Sequence, residues 1–331
     1  MSGISRILVI GALGQIGSEL TPALRERYGA DAVVAADIRQ PQNSPLAENG
    51  PFEICDVTDR TRIDEILEKH NIDCICNMAA LLSATGEKIP TKCWDINMGG
   101  LINTLEAARD HELKEVFCPS SIAVFGPTTP LDNTPQETVL EPSTMYGVTK
   151  VSGELMCNYY FHRFGVDARG LRYPGIISAE TLPGGGTTDY AVDIFYKAIE
   201  TGHYECFVRE DTMLPMMYMP DCIKATMDLM AAAPEGLDHR SGYNLGAISM
   251  TAGELAAEIK KHIPGFSIEY KPDERQAYAD SWPSSVDDTA ARKEWNWNHD
   301  FDLEKMTADM LAILQQRHEQ GMLYKSTGAA G

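Results

Sequence analysis

The chain has 331 residues, 44% of them hydrophobic and 23% charged, and its 48 acidic and 28 basic side chains give a formal net charge of −20. This composition is that of a globular protein with a sizeable core, and it excludes the disordered, collagen-like and disulfide-scaffold classes. Because a negative field repels phosphate backbones and anionic lipid, we expect a small-molecule substrate and neither a nucleic-acid nor a membrane partner.

The first half of the chain alternates β-branched runs with amphipathic helical patterns. The predicted strands are residues 7–10, 32–36, 52–55, 73–77, 116–119 and 168–173, and the predicted helices are 15–28, 60–70, 91–111 and 144–164. Strands joined by helices of this length form a parallel sheet, and uninterrupted apolar strands require cover on both faces. The sequence therefore predicts an α/β protein with a Rossmann-type, doubly wound parallel sheet.

The second half is less regular. Its predicted helices are residues 189–201, 220–232, 251–263 and 303–318, with short strands at 206–208 and 216–219. Thr251 and Glu254 have the spacing of a capping box. We assign residues 1–175 to a dinucleotide-binding domain, to which the chain returns around 215–245. Residues 176–214 and 246–325 form the predicted smaller α/β substrate lobe, and 326–331 a frayed tail.

A glycine-rich segment directly follows the first strand and opens the first helix: Gly11, Ala12, Leu13, Gly14, Gln15, Ile16 and Gly17. Its glycines allow a tight turn and close approach of a pyrophosphate, which the N–H groups of the helix N-terminus would bind. Such turns are common without a ligand, but Asp37 ends the second strand 20 residues after Gly17, as in dinucleotide-binding units. The segment is therefore predicted to bind a dinucleotide.

We assign Asp37, Ile38 and Arg39 to the adenosine of that cofactor. A carboxylate at the end of the second strand binds ribose hydroxyls and repels a 2′-phosphate, so NAD is favoured over NADP, a preference that Arg39 would reduce. By itself, Asp37 would be a solvated turn residue.

Two further pairs of residues follow strands on the cofactor side of the predicted sheet. Asp56 and Val57 come after the third strand, where adenine would lie, although Asp56 with Asp59 is an equally good signal for the start of a helix. The small residues Ala79 and Ala80 come after the fourth strand, where they would let the riboses pass close to the backbone.

A serine, a tyrosine and a lysine form the predicted catalytic group. Ser121 leaves the fifth strand, and Tyr146 and Lys150 share one face of a helix that Ser143 would cap. A phenol ordinarily titrates near pH 10, and a neighbouring ammonium favours the phenolate, which is the form that acts as a base. Alone, such a pair is usually a half-buried tyrosine beside a solvated lysine, and a strand-end serine usually caps a turn. Together with the glycine-rich segment and Asp37, the three residues predict an oxidoreductase.

These motifs, written GALGQIG, NMAA, SSIAVFG and YGVTK, resemble those of the extended short-chain dehydrogenases over nearly the whole chain, with Phe125 where relatives usually have tyrosine. The resemblance implies that Tyr146 is the general acid/base, that Lys150 steadies it and holds the nicotinamide ribose, and that Ser121 orients the substrate. It places Ile176, in Pro174-Gly175-Ile176, against the nicotinamide. It also implies a homodimer built on helices 91–111 and 144–164.

Most members of that family act on nucleotide sugars, but two of their usual features are missing here. No asparagine directly follows Arg172-Tyr173, and the run Met213–Tyr218 offers no arginine for a diphosphate. Instead, Gly184 to Gly186 with Thr187 and Thr188 form a predicted cradle for one carboxylate, and Asp189 would pair with an ammonium. The alternative for these residues is an ordinary helix cap.

This stretch, with LLSATGE around Ser83 and DSWP around Trp282, resembles the short-chain-type L-threonine 3-dehydrogenases. That resemblance implies oxidation of the β-hydroxyl of L-threonine to 2-amino-3-ketobutyrate, with tyrosine as base and hydride transfer to NAD. It places Ser83, Thr187, Thr188, Asp189 and Trp282 around the amino acid, with Ser121 and Tyr146, although Trp282 alone could be a core aromatic. The rival interpretations are a nucleotide-sugar epimerase or dehydratase and a non-catalytic dinucleotide sensor, which would need no Tyr146–Lys150 pair.

The eight cysteines form no CxxC motif, and neither they nor the eight histidines have the spacing of a metal site, so we expect no metal and a reducing compartment. The first strand begins at residue 7, which leaves no room for a signal peptide. The cytoplasm is the default prediction. A removed targeting segment would leave no trace, so the mitochondrial matrix stays open.

Overall fold

The side chains of the first strand alternate between two buried clusters. The structure, a computed structural model, describes residues 3–41, 45–182 and 186–324. Ile7 and Val9 join a cluster on one face of the sheet, whereas Leu8 and Ile10 join a cluster on the other. Since both faces are covered, the strand needs an uninterrupted apolar run. The predicted α/β fold, with a doubly wound parallel sheet, is confirmed.

The first half of the chain supplies the six described strands of the main sheet. The described strands are β1 Ile7–Ile10, β2 Val33–Asp37, β3 Phe52–Ile54, β4 Cys74–Asn77, β5 Glu115–Phe117, β6 Ser120–Ser121, β7 Ala168–Arg169, β8 Leu171–Tyr173, β9 Gly175–Ile177, β10 His203–Cys206, β11 Met213–Tyr218, β12 Tyr243–Asn244, β13 Ile248–Thr251 and β14 Ser267–Tyr270. The main order is β3-β2-β1-β4-β5-β7, with all pairs parallel. Strands β6 and β8 follow β5 and β7 closely, and β8 pairs in parallel with both β6 and β12.

Helices cover the sheet and surround the smaller sheets. They are α1 Gly17–Tyr28, α2 Pro45–Glu48, α3 Arg60–His70, α4 Ser83–Lys88, α5 Pro90–Asp110, α6 Met145–Phe164, α7 Tyr190–Glu200, α8 Met219–Ala231, α9 Ala252–His262, α10 Arg275–Ala279, α11 Thr289–Trp295 and α12 Leu303–Glu319. Within the described ranges, none is long and apolar enough to cross a membrane.

Side chains at the helix starts confirm one predicted cap and correct another. Thr251 and Glu254 form the reciprocal capping box at α9. At α6 the cap is Thr144, whose hydroxyl accepts a hydrogen bond from the Gly147 N–H, and the prediction of Ser143 was wrong by one residue. Thr144 is buried and extended in backbone conformation, whereas Ser143 is exposed.

Two smaller sheets belong to the second half of the chain. In one, β11 pairs in parallel with β9 and antiparallel with β13, and in the other β10 pairs with β14. The strand predicted at residues 206–208 lies earlier, at His203–Cys206. There His203 and Glu205 are exposed while Tyr204 and Cys206 are buried. Alternation with a period of two is typical of a half-buried strand. The strand was misplaced because the prediction relied on uninterrupted apolar runs, and the polar residues of this strand interrupt the run.

The chain returns to the first sheet after β11. Helix α8 contributes Cys222 and Met230 to the cluster that contains Ile7. Helix α11 contributes Trp295 to the same cluster, although residues 246–325 are assigned above to the substrate lobe. The division into domains remains our interpretation, and residues 326–331, the predicted tail, lie outside the described ranges.

A partly buried carboxylate links α1 to the segment after β9. The Ser178 hydroxyl donates to Glu19 Oε1 at 2.6 Å. Burial raises the pKa of Glu19 from 4.5 to about 7; the Ser178 hydrogen bond and Arg317 lower it, and Glu180 raises it. Because the folded state holds this proton more tightly than the unfolded state, the contribution of Glu19 to stability falls as the pH rises from about 4.5 to about 7.

We therefore expect Glu19→Gln to be more stable than the parent at pH 8, by about 3 kcal/mol at most. The decline in stability between pH 5 and pH 8 should flatten, as measured by urea unfolding at several pH values. Glu26→Gln, which removes an exposed charge from the same helix, is the matched control and should not flatten it. Parallel pH profiles for parent and Glu19→Gln would contradict the raised pKa.

Candidate active site

The glycine-rich segment forms a tight loop between β1 and α1. Gly11 has φ +81°, and a Cβ atom there would lie 2.7 Å from the Ala79 nitrogen. A Cβ atom on Gly17 would lie 2.2 Å from the Gly11 carbonyl oxygen, which only glycine avoids. Helix α1 begins at Gly17, and its cap residue, Ile16, provides no side-chain hydrogen bond. The N–H groups of Ser18 and Glu19 already donate to the Gly14 and Ile16 carbonyls, so an anion would bind to the N–H groups that precede them. The loop therefore fits a pyrophosphate.

The carboxylate of Asp37 holds this loop to the end of β2. Its Oδ2 accepts from the Leu13 N–H at 3.0 Å, and its Oδ1 accepts from the N–H and Nε of Arg39 at 3.1 Å each. Arg39 also donates to the Leu13 carbonyl at 2.9 Å. A carboxylate has about four acceptor positions, of which these bonds take three. Asp37 thus anchors the loop, and one acceptor position is left over, where a ribose hydroxyl is predicted to bind.

Other predicted adenosine residues have structural roles of their own. Asp56 Oδ1 accepts from the N–H and hydroxyl of Thr58, and the actual cap of α3 is Asp59, which accepts from the Arg62 N–H. Val57 is buried against Gly100 of α5. Ile38 is 63% exposed beside Asp37. Contact of Asp56, Val57 and Ile38 with the cofactor stays a prediction.

Helix α6 presents Tyr146 and Lys150 towards the ends of the strands. Lys150 Nζ donates to the Pro119 carbonyl at 2.8 Å and lies 5.4 Å from the centroid of the Tyr146 ring. The Ser121 hydroxyl accepts from the Ala123 N–H at 3.2 Å. The start of α6 is fixed by Glu87, whose Oε1 accepts from the Met145 N–H at 2.7 Å. These contacts hold the first residue of the helix and the Lys150 side chain in place.

One cleft of about 560 Å³ joins the predicted residues. Those that line it are Leu13, Gly14, Gln15, Ile16, Gly17, Arg39, Ala80, Ser83, Ser121, Tyr146, Lys150, Ile176, Thr187, Thr188, Asp189 and Trp282. Those outside its lining are Gly11, Ala12, Asp37, Ile38, Asp56, Val57 and Ala79. The cleft thus brings together the glycine loop, the serine–tyrosine–lysine group and the residues that are predicted to bind the amino-acid substrate.

Sequence reasoning missed part of the lining. The missed residues are Leu82, Pro119, Ser120, Ile122, Ala123, Tyr173, Thr181 and Leu182. Most of them lie within a few positions of a residue that was predicted. Their closeness to the end of a strand is the sequence signal that could have identified them. Asn97 was also missing from the predicted site. It bonds through Oδ1 to the Leu81 N–H at 2.8 Å and through Nδ2 to the Thr149 hydroxyl at 3.1 Å, tying the loop after β4 to α6.

The cleft is poor in positive charge. Among the described residues that line it, the cations are Arg39 and Lys150, at opposite ends of the predicted cofactor site, and the anion is Asp189. Asp189 Oδ2 accepts from the Gly186 N–H at 2.7 Å. Gly184 and Gly185, predicted to form part of the carboxylate cradle, lie outside the described residues. In the described ranges, no group of three or more His, Cys, Asp or Glu side chains could hold a metal ion.

Comparison with protein families gives a match that covers most of the chain. The model of the NAD dependent epimerase/dehydratase family matches residues 7–246. An uncharacterized epimerase/dehydratase of Staphylococcus haemolyticus is 51% identical over 317 residues, which is 96% of this chain and 99% of the relative.

Solved structures agree with the fold and with the family. The L-threonine dehydrogenase of Clostridium difficile superposes with a TM-score of 0.93 at 51% identity, covering 96% of this chain and 99% of that one. A monomeric L-threonine 3-dehydrogenase from a metagenome superposes with a TM-score of 0.90 at 49% identity, covering 94% and 99%.

We expect Asp37→Ala to weaken NAD binding about 10–100-fold and to narrow the gap between NAD and NADP, because a hydrogen bond to a charged group is worth about 1.5–3 kcal/mol. Asp37→Asn, which keeps an acceptor for the Leu13 N–H, should lose less affinity. Calorimetric titration of both dinucleotides measures this, with Asp64→Ala of helix α3 as the control. Unchanged affinities of Asp37→Ala for NAD and NADP would contradict the predicted contact between Asp37 and the ribose.

Proposed function

Because this chain belongs to the NAD-dependent epimerase/dehydratase family, and is thus an oxidoreductase that uses NAD, we propose that it oxidises the β-hydroxyl of L-threonine to 2-amino-3-ketobutyrate. One observation carries the proposal. A single cleft joins Ser121, Tyr146 and Lys150 to a small polar end lined by Thr187 and Asp189. The L-threonine dehydrogenases of similar sequence support it.

The proposed chemistry at the reacting alcohol belongs to three side chains. Tyr146 removes the hydroxyl proton as general base, and Ser121 donates a hydrogen bond that fixes the hydroxyl beside it. The Lys150 ammonium stabilises the phenolate and is itself held by the Pro119 carbonyl. When bound along the glycine loop and Asp37, NAD supplies the acceptor for the hydride.

The other end of the cleft would hold the amino-acid part of the substrate. We assign the carboxylate to Thr187 and Thr188 beside the N-terminus of α7, where their hydroxyls and the helix dipole favour an anion. Asp189 and Ser83 would take the ammonium. Trp282, only 8% exposed at the edge of the cleft, would exclude water from it.

A nucleotide-sugar substrate fits this cleft less well. A nucleotide sugar carries a diphosphate in addition to that of NAD, and this second diphosphate requires cationic partners outside the cofactor site. Arg39 neighbours the adenosine position and Lys150 the reacting group, so neither is left for a second diphosphate among the described lining residues. On β11, where such a cation would be expected, Leu214, Met216 and Met217 are buried and apolar.

We expect the purified protein to reduce NAD when L-threonine is present, as followed by NADH absorbance. Tyr146→Phe should lower kcat by about 10²–10⁴-fold with an unchanged Kd for NAD, because it removes the base and leaves the loop intact. Tyr159→Phe, which removes an exposed phenol from the same helix, is the matched control.

Incubation with UDP-glucose or UDP-galactose and chromatography of the products tests the alternative. Interconversion of these sugars without oxidation of threonine would replace the proposal by an epimerase. Retained turnover in Tyr146→Phe would remove Tyr146 from its role, and NAD binding without either reaction would favour a dinucleotide sensor.

We propose further that the protein is a homodimer built on α5 and α6. Both helices carry large apolar side chains that are exposed in the single chain: Trp94, Ile102, Val148, Leu155 and Tyr159, between 38% and 64% exposed. Exposed apolar side chains gathered on one surface usually mark an interaction site. The monomeric relative from the metagenome makes the oligomeric state an experimental question.

We expect light scattering to give twice the chain mass of 36.4 kDa for the parent and the chain mass itself for Leu155→Arg. A charge on the most exposed of these side chains would have to be desolvated in the interface. Leu131→Arg, at an exposed position outside the two helices, is the control and should remain dimeric. A parent protein of single-chain mass would refute the dimer.

All eight cysteines are free thiols, seven of them buried. Since free thiols persist where disulfides are kept reduced, we propose a reducing compartment, with the cytoplasm as the simplest choice.

A further inference from the structure

A buried ion pair is formed by a side chain of α6 on the same face as Tyr146 and Lys150. Glu154 follows Lys150 by four positions and Tyr146 by eight, so the three side chains lie on the same side of the helix. Its Oε1 accepts from the Ser120 hydroxyl at 2.5 Å and from Arg172 Nε at 2.9 Å, and its Oε2 accepts from Arg172 Nη2 at 2.8 Å. Glu154 and Arg172 are each only 6% exposed.

The partners of Glu154 belong to the segments that form the floor of the cleft. Ser120 lies between Pro119, whose carbonyl accepts from Lys150, and Ser121. Arg172 directly precedes Tyr173, which lines the cleft with the residues that follow it. One carboxylate therefore joins α6 to the strands β6 and β8 at the level of the reacting groups.

The surroundings leave this pair little freedom to move. Arg172 Nη1 donates to the Gln136 carbonyl and to Asn244 Oδ1, both at 3.0 Å. A Cβ atom on Gly242 would lie 2.6 Å from the Glu154 carboxylate, so the backbone of this segment packs directly on it. Glu154, Ser120 and Lys150 also share the wall of a cavity of about 40 Å³. A shift of the carboxylate would therefore be transmitted to the space beside the lysine.

Stability alone is a poor explanation for this arrangement. Removing two charges from water is costly, and apolar side chains of the same size often give an equally stable core. Buried pairs of this kind are best known for fixing a single alignment of the elements they join. Here the alignment that is fixed is that of Tyr146 and Lys150 against Pro119 and Ser121.

We propose that Glu154 and Arg172 are positioning residues, which set the Pro119 carbonyl and the Ser121 hydroxyl against Lys150 and Tyr146 for alcohol oxidation. The inference rests on the proposed function for its kinetic readout. Glu154 does not line the main cleft, so it acts through Ser120 and not on the substrate. Since a misplacement of about 1 Å can cost about 100-fold in rate, the pair would control kcat more than binding.

The test compares two buried glutamates that differ in place. Glu115 is 1% exposed and lies 3.2 Å from Arg169 Nε, but it begins β5, about 16 Å of extended chain before Ser120. We expect Glu154→Gln to lower kcat for threonine about 10–100-fold while KM for threonine and Kd for NAD change less than threefold. Glu115→Gln should leave kcat within twofold of the parent, and urea unfolding of both variants measures the change in stability.

Arg172→Lys keeps the positive charge but loses the bidentate contact with the Glu154 carboxylate. It is the test variant to use if Glu154→Gln does not fold. Its kcat should fall by a similar factor, with Arg169→Lys as its control. A kcat within twofold of the parent in either the Glu154 or the Arg172 variant, or an equal loss in the matched control, would overturn the proposal.

If the parent does not oxidise threonine, the proposed function fails and crystal structures decide the positioning role separately. We then expect the distance between Lys150 Nζ and the Pro119 oxygen to increase from 2.8 Å to more than 3.5 Å in Glu154→Gln and to stay at 2.8 Å in Glu115→Gln. An unchanged distance in Glu154→Gln would refute it.

Discussion

The carboxyl ends of the parallel strands meet at one edge of the sheet, and every part of the site depends on this constraint. The glycine loop follows β1, Asp37 ends β2, the small residues follow β4, and Ser121 ends β6. Since parallel strands all run the same way, residues far apart in sequence arrive at the same edge without any further folding information. The first half of the chain thus aligns the residues on one side of the cleft, and the second half supplies the residues that line the other side.

This constraint explains how a chain of charge −20 is suited to a dinucleotide. Among the described lining residues, Arg39 and Lys150 are the cations, and each already has a protein partner. The phosphates would therefore be held by the N–H groups of the loop and by the start of α1, where backbone dipoles favour an anion. Phosphate binding through the backbone needs glycines at fixed positions, which is the reason that the loop is so readily recognised in sequence.

The features that could be predicted from the sequence are those that depend on residues close together along the chain. The strand at Ile7–Ile10, the capping box at Thr251 and the spacing of Tyr146 and Lys150 are local patterns, and the structure reproduces each of them. The strand His203–Cys206 was misplaced because its alternation has meaning only beside β14. Asn97, the pair Glu154–Arg172 and the acceptor for Lys150 depend on which elements become neighbours in space. Nothing within a few residues of these side chains specifies those partners.

The two sides of helix α6 have different surroundings. Successive residues turn by about 100°, so Val148 points about 200° away from Tyr146, and Leu155 and Tyr159 extend its side of the helix. The inner side, with Lys150 and Glu154, is fixed by hydrogen bonds to strand residues, whereas the outer side is apolar and exposed in the single chain. Covering the outer side would remove apolar area from water and press the same helix against the strands that hold its inner side. A helix held from both sides can present a phenol and an ammonium with the small positional error that proton transfer requires.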